Sequence, residues 1–538
     1  MSVEDRWIYV TCVGTTPEAV YSPLWALIEE GLKVDLVHLL HTEGTRRHAE
    51  ALRDAIRILA NLDEGSVRIS EVEEVNIEET VKQAKSIVEE YRSHGFKVIV
   101  DITPGRKPMS ISMFQAAMQG EAELITYLHL LNREFEREPY PLIPMWLVRL
   151  VKFKDQVKAA SKQPTRAPVV LGYDEVRYQE VYPYINELCR STGRSQVTIE
   201  VPYLGFKLLS LDFKDNGVKV MHVADKKYFQ EYLSTRGVEG LSLYKPPKSP
   251  YSLFKDALIA GGALKLDVKP LIDAIRREVE EKELRGPRLV ALALDTNMIY
   301  ARLVTNHLSE LLGRGLKVLL SDEVHDEIQR QYLNKSRLTS DWREELKSIR
   351  EAAKALSKLK ELGDLVPNQG TPYKARLAYH AELELAQVKG YIERIPKTEG
   401  QGDLAIMESY KKHSENVGAT LIVATGDNSF AEALRNRGFT AYYVDQSIDV
   451  KKENVEITYR NLPKLILSLA TYFIAIRITS ANTSITVRST WEDKKPPQWT
   501  EGILQVKAPP QIQQKAKQQI DKANKIKETL TSKIKTNI

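Results

Sequence analysis

Three times within residues 1–119, a short apolar run rich in β-branched residues stops at a loop of Gly, Pro, Thr or charged residues and passes into a helical pattern. Trp7–Val13 breaks at Gly14-Thr-Thr-Pro17, and a helix follows through Glu30 with Pro17 in its first turn. Val34–Leu40 leads through His41-Thr-Glu-Gly-Thr45 into a helix from about Arg46 to Leu62. Phe96–Ile102 leads through Thr103-Pro-Gly-Arg-Lys-Pro108 into a helix from about Met109 to Gln119. Strand, loop and helix in series predict a parallel sheet of the doubly wound type. In such a sheet the ligand sits outside the carboxyl ends of the strands, and all three loops should emerge there. They carry hydroxyls (Thr15, Thr16, Thr45, Thr103), glycines (Gly14, Gly44, Gly105) and cations (Arg106, Lys107), a combination suited to cradling phosphates at helix N-termini. The dinucleotide fingerprint G-x-G-x-x-G is missing, since Gly14 stands alone in its loop, which argues against an NAD-dependent enzyme.

Val13-Gly-Thr-Thr-Pro-Glu18 and Asp101-Ile-Thr-Pro-Gly-Arg-Lys-Pro-Met-Ser110 resemble the two signature loops of the CRISPR-associated Rossmann fold, or CARF, domain. The resemblance covers roughly the first 150 residues, and residues 1–158 are taken as this domain. It implies a sensor of cyclic oligoadenylate from type III CRISPR complexes, with cyclic tetra-adenylate favoured and hexa-adenylate as the second choice. It also implies a homodimer whose twofold axis passes through the ligand, because a twofold ring needs a twofold pocket. The ligand contacts it implies are Gly14, Thr15, Thr16, Thr45, Asp101, Thr103, Gly105 and Lys107.

A chain of 538 residues with 43% apolar content is too long for one core and predicts three or four domains. Cys12 and Cys189 are its only cysteines, which excludes a disulfide framework and a cysteine-rich metal site. The longest apolar stretch, Leu462–Ile476, contains Pro463 and Lys464 and is too short to span a bilayer, and the N-terminus lacks a signal peptide's pattern; a soluble, cytoplasmic protein without a membrane partner is expected. Lys162-Gln-Pro-Thr-Arg-Ala-Pro168 and Lys245-Pro-Pro-Lys-Ser-Pro250 read as breaks around a middle α+β connector, residues 159–290, with strands at Gln196–Val201, Phe206–Phe213 and Val218–Val223 and a helix from about Lys269 to Glu283. Residues 451–538 carry 16 Lys/Arg against 7 Asp/Glu, and from Gln511 onward seven lysines against two acids. This basic extension reads either as a mobile helix that attracts RNA or as a solubilising end.

Four carboxylates lie in the remaining segment, residues 291–450, each where a strand ends or a helix begins. Asp295 closes the apolar run Leu289–Leu294. Ser321, after the strand Lys317–Leu320, is a plausible N-cap for a helix carrying Val324, Glu327 and Ile328. Asp403 follows Gly-Gln-Gly and starts a helix with Ile406 on the same face, and Asp427 follows the strand Leu421–Ala424 in Thr425-Gly-Asp427. A single α/β domain could gather all four into an acidic pocket for a divalent metal, which suits attack of water on a phosphodiester. Asp326 is a substitute for Glu327 if the helix is rotated.

The ordered set Asp-x-Asn, Ser-x-x-Val-x-x-Glu, Asp-x-x-Ile and Thr-Gly-Asp-x-x-Phe resembles the PIN nuclease domain over about 150 residues. The resemblance implies a metal-dependent endoribonuclease acting on single-stranded RNA with Mg2+ or Mn2+, with Asp295, Glu327, Asp403 and Asp427 as catalytic metal ligands and Asn297 and Thr425 supporting them. It departs from the pattern between Glu327 and Asp403, where a charged helical stretch from about Asp341 to Leu362 is inserted as a lid, a dimer element or an RNA guide. Two alternatives remain at this point. Arg302-Leu-Val-Thr-Asn-His307 fits the Arg-x4-His pattern of metal-independent HEPN ribonucleases, and a cyclic oligoadenylate-binding regulatory or RNA-binding protein without nuclease activity is also compatible.

Overall fold

The computed structural model describes residues 5–73, 76–155, 172–238, 249–285, 289–312, 314–398 and 402–535. The break expected at 162–168 lies outside them, as does that at 245–250 except for Ser249 and Pro250, which start the helix Pro250–Ala260. Two compact units result, one of Met1–Val170, Tyr182–Glu187 and Pro510–Ile538, the other of Leu171–Val181 and Leu188–Pro509.

In the first unit β1 (Arg6–Cys12), β2 (Leu36–His41), β3 (Val67–Glu71), β4 (Phe96–Asp101), β5 (Leu124–Leu130) and β6 (Val148–Asp155) form one sheet in the order β3-β2-β1-β4-β5-β6. All neighbours are parallel except β5 and β6. Alternation sends Trp7, Tyr9 and Ile99 to one face and Ile8, Val10, Val98 and Val100 to the other, and helices cover both. Burial on two faces is why these strands read as unbroken apolar runs in the sequence. The strand order reverses between β1 and β4, so the loops beginning at Val13 and Ile102 flank the switch point.

The Lys-rich end is neither mobile nor free. Pro510–Lys535 is one helix, and Ala523, Ile526 and Leu530, spaced 3 and 4 apart, join the apolar cluster of helix Arg46–Ala60. Lys515 pairs with Glu29 at 3.1 Å and Glu187 at 2.8 Å, Lys527 with Glu138 at 3.0 Å, and Lys533 with Asp54. Lys522 donates to the Leu59 carbonyl at 2.9 Å. Four lysines therefore serve the unit's own acids and backbone. Their composition resembled a solvated tail because their apolar partners recur only every third or fourth residue.

In the second unit the strands in chain order are β7 (Asp174–Arg177), β8 (Gln196–Val201), β9 (Phe206–Lys214), β10 (Gly217–Val223), β11 (Val290–Leu294), β12 (Leu316–Ser321), β13 (Ile392–Ile395), β14 (Thr420–Thr425), β15 (Thr440–Tyr443), β16 (Ala475–Ser480), β17 (Thr483–Arg488) and β18 (Ile503–Lys507). Five make a wholly parallel sheet, β13-β12-β11-β14-β15. The other seven make an antiparallel sheet, β10-β9-β8-β16-β17-β18-β7. The middle segment and residues 475–507 thus share one sheet, with Ile199 opposite Ile478 and Val176 opposite Leu504. A boundary at 451 does not separate them, because non-local pairing joins residues 279 and 328 positions apart. The apolar stretch beginning at Leu462 is a buried helix, Leu462–Phe473, feeding β16. Among the described residues no helix is long and apolar enough to cross a membrane.

Ile526 is fully buried. Ile526→Ala should cost about 2–5 kcal/mol, read as earlier melting and faster hydrogen exchange in residues 6–60. An unchanged exchange pattern would mean that the C-terminal helix is not part of this core.

Candidate functional site

At the N-terminal switch point the two loops touch. A Cβ on Gly14 would lie 3.2 Å from the Gly105 amide nitrogen, and Gly105 itself has φ +95°, so both positions favour glycine for separate reasons. Helices Pro17–Glu29 and Lys107–Gln119 begin here, and neither Thr16 nor Arg106 caps its helix with a side-chain hydrogen bond. Thr15, Gly105, Arg106 and Lys107 are exposed, and Gly14 and Thr16 half-buried. Amide donors at two helix starts beside cations make this edge suited to phosphate.

Asp101, one of the expected ligand contacts, has its side chain turned into the protein instead of onto the open edge. Its side chain is 0% exposed and receives the hydroxyls of Thr11 (3.1 Å), Thr103 (2.7 Å) and Thr126 (3.3 Å). Burial pushes its carboxyl up to about 7, against the pull of the hydrogen bonds from Thr103, Thr11 and Tyr9. The Thr103 hydroxyl also accepts the Leu128 amide at 2.8 Å, so Asp101 and Thr103 shape the loop from below. The Thr45 hydroxyl closes its own turn by accepting the Thr42 amide at 3.0 Å. Of the expected contacts, Gly14, Thr15, Thr16, Gly105 and Lys107 lie on the open edge.

The C-terminal switch point lies between β11 and β14, and it gathers carboxylates. Asp295 N-caps the short helix Thr296–Tyr300; its Oδ1 accepts the Thr296 amide at 2.6 Å, and its Oδ2 accepts the Thr425 hydroxyl at 2.8 Å and the Asn297 amide at 3.2 Å. These donors let a carboxylate that is 7% exposed remain at the floor of the site. The Thr425 hydroxyl also accepts the Asp427 amide at 3.0 Å, while Asp427 Oδ1 caps helix Asn428–Asn436 through the Phe430 amide at 3.1 Å. Across the sheet edge the Thr296 hydroxyl donates to Glu327 Oε2 at 2.6 Å. Thr296 therefore links the Asp295 and Glu327 carboxylates, and Thr425 links the Asp295 carboxylate to the Asp427 backbone, with Glu327 and Asp427 exposed at the rim.

Helix Asp403–Val417 starts on Asp403, whose side chain lies outside the described residues. That helix is fixed to the edge by Tyr410, which donates to the Leu294 carbonyl at 2.7 Å, and by Ser409 against Ser321 at 3.0 Å. Among the described residues no three His, Cys, Asp or Glu side chains form a ready metal site. The side chains at this edge offer oxygen atoms, the ligand type that magnesium and manganese take. Asp326 faces Lys397 at 3.4 Å instead of the cluster. Thr296 and Tyr410 were not anticipated, though Thr296 lies inside Asp-Thr-Asn and Tyr410 falls two turns beyond Asp403 on the same helix face.

The Arg-x4-His alternative fails on geometry. Arg302 is 0% exposed, pairs with Glu384 at 3.3 Å and donates to Gln387 at 2.7 Å. Its φ of +53° is a strained conformation held by these partners. Burial lowers His307 to about 4. An arginine sealed in this way cannot reach RNA.

Because the folded chain holds the Asp101 proton more tightly than the unfolded chain, stability should fall as pH rises from the ordinary carboxylate range to about 7 and level off above it. The wild-type N-terminal unit should melt earlier at pH 8 than at pH 5, and Asp101→Asn should flatten that difference. Identical pH profiles in the two proteins would contradict this assignment.

Residues 27–141 match the family model of the Card1 CARF domain. No curated protein matches the chain. Solved structures that overlap it include Can2 from Sulfobacillus thermosulfidooxidans in complex with cyclic tetra-adenylate, at 18% identity and a TM-score of 0.18, covering 22% of this chain and 31% of that one. Protein VC1899 from Vibrio cholerae overlaps at 9% identity and a TM-score of 0.24, over 81% and 93% of the two chains. A type III CRISPR defence DNA nuclease activated by cyclic oligoadenylate overlaps at 12% identity and 0.18, over 86% and 70%. The chain spans about a third of Can2's length, and overlaps at these TM-scores carry no argument. Residues 27–141 of the N-terminal doubly wound sheet are thus similar to a CARF domain, with the loop after β4 inside the matched stretch and the loop at Gly14 before it.

Proposed function

We propose that the chain is a cyclic oligoadenylate-activated, metal-dependent endoribonuclease of type III CRISPR defence. The observation that carries the catalytic half is that Thr296 bonds both the Asp295 and Glu327 carboxylates, through its amide and its hydroxyl, while the Thr425 hydroxyl bonds the Asp295 carboxylate and the Asp427 backbone amide at the β11–β14 edge. In this reading Asp295, Glu327, Asp427 and Asp403 hold magnesium or manganese, and Asn297, Thr296 and Thr425 orient the carboxylates. An ion held by these residues would lower the pKa of an attacking water from about 15.7 towards neutrality and offset charge on the departing oxygen. Hydrolysis then leaves a 5′-phosphate and a 3′-hydroxyl.

The sensing half rests on the CARF match and on the uncapped helix starts beside Gly14 and Gly105. Cyclic tetra-adenylate is the favoured ligand and cyclic hexa-adenylate the second. A homodimer suits a ring of that symmetry. It is supported by Ile111, Phe114 and Met118, exposed on one face of helix Lys107–Gln119, and by the edge contact of Phe114 with exposed Phe153 at 5.7 Å.

Labelled single-stranded RNA should be cut in manganese, faster when cyclic tetra-adenylate is added. Asp427→Asn should abolish cleavage, and Thr425→Val should cost about 10–100-fold. Equal cleavage with and without either ring would sink the switch, and cleavage that persists in EDTA would sink the metal site.

A further inference from the structure

The stretch inserted between Glu327 and Asp403 builds a second surface, away from the carboxylates. Helix Lys335–Ala355 presents Arg343, Lys347, Arg350 and Lys354 at intervals of 4, 3 and 4, so all four lie on one face and span about 16 Å. They line a cleft formed with helix Leu359–Leu365 and the turn after β17. The cleft consists of two adjoining cavities of about 460 and 520 Å³ that share Arg350 and Asn368. Buried Leu346 and Trp491 and the 48% exposed Leu359 supply its apolar lining, and two acids, Glu351 and Glu492, also line it, against five cations, Arg343, Lys347, Arg350, Lys354 and Arg488. Arg488 enters from the opposite wall, its guanidinium held over the Tyr173 ring at 3.8 Å.

These cations are not committed to the fold. Arg350 donates to Asn368 Oδ1 at 2.7 Å, but among the described residues Arg343, Lys347 and Lys354 form no ion pair. Yet Glu344 and Glu351 occupy the three- and four-residue spacings at which helical pairs form. A solvated helix face would lack both the cleft and the apolar lining. A repeated row of cations beside the exposed Leu359 side chain matches a polyanion that also offers flat apolar faces, which is the chemistry of single-stranded nucleic acid. A duplex keeps its bases inside and would leave Leu359 unused.

We infer that this cleft binds single-stranded RNA, with Arg343, Lys347, Arg350 and Lys354 on consecutive phosphates and a base against Leu359. The inference deepens the nuclease reading and rests on it for the identity of the strand. The cleft is an anchoring surface for substrate and holds none of the reacting atoms.

The test is anisotropy of a labelled single-stranded RNA on the full-length protein in EDTA, so that nothing is cut, across a salt series. The triple variant Arg343→Ala/Lys347→Ala/Lys354→Ala removes exposed side chains without ion-pair partners and should melt like wild type. It should bind about tenfold or more weakly, irrespective of RNA sequence, with the salt slope reduced by about 2, or roughly 0.7 per lost phosphate contact. A control, Lys207→Ala/Lys226→Ala/Lys227→Ala, should bind as wild type does. Unchanged affinity and slope in the first variant, or equal losses in both, would overturn the assignment. Binding of a Glu-rich peptide through the same three residues, with no RNA bound, would also overturn it. If wild type binds RNA through these cations but cuts none in manganese, the cleft stands and the nuclease reading falls. If the triple variant binds and cuts as wild type does, the cleft falls and the nuclease reading stands.

Discussion

The parallel pairing of β11 with β14 is the constraint on which the carboxylate cluster depends. Leu294 lies opposite Ala424, so each strand's next residue, Asp295 and Thr425, reaches the same edge and the hydroxyl meets the carboxylate. A one-residue slip would turn every side chain of one strand to the other face and break that contact. The stretch Val290–Leu294 is buried and apolar on both faces, so burial alone does not choose between registers, and the Asp295–Thr425 contact at its end favours the observed one.

The same constraint appears in the N-terminal sheet. Thr11 lies opposite Asp101 in the β1–β4 pair, and the Asp101 carboxylate collects three hydroxyls beneath the loop that Gly105 closes. Both sheets reverse strand order beside their first strand, and each carries its candidate residues at that reversal. Buried hydroxyl–carboxylate contacts set the backbone in both, while exposed groups above them are left to meet ligand.

What was legible in the sequence followed from local physics. The strand ends at Cys12, Asp101, Leu294 and Thr425 are announced by apolar runs that stop at Gly, Pro or Thr, and Asp295, Glu327 and Asp427 could be placed from them. What was hidden depends on partners distant in the chain. Asp101 reads as a loop contact until Thr11 and Thr126 close over it, and Arg302 reads as a catalytic pattern until Glu384 seals it. The lysines after Gln511 read as solvent-facing until Glu29, Glu138 and Asp54 are found opposite them. The inserted helix is the reverse case: its charges were plain, but only the fold shows that acids at pairing distance leave its basic stripe unpaired.

The proposed chemistry requires a divalent-metal site at Asp295, Glu327 and Asp427, around Thr296 and Thr425. Manganese titration followed by electron paramagnetic resonance measures this directly, without substrate or activator. Wild type should bind about one or two ions per chain, and Asp295→Asn and Asp427→Asn should lose them while remaining folded. Equal manganese binding by wild type and both variants would contradict the claim.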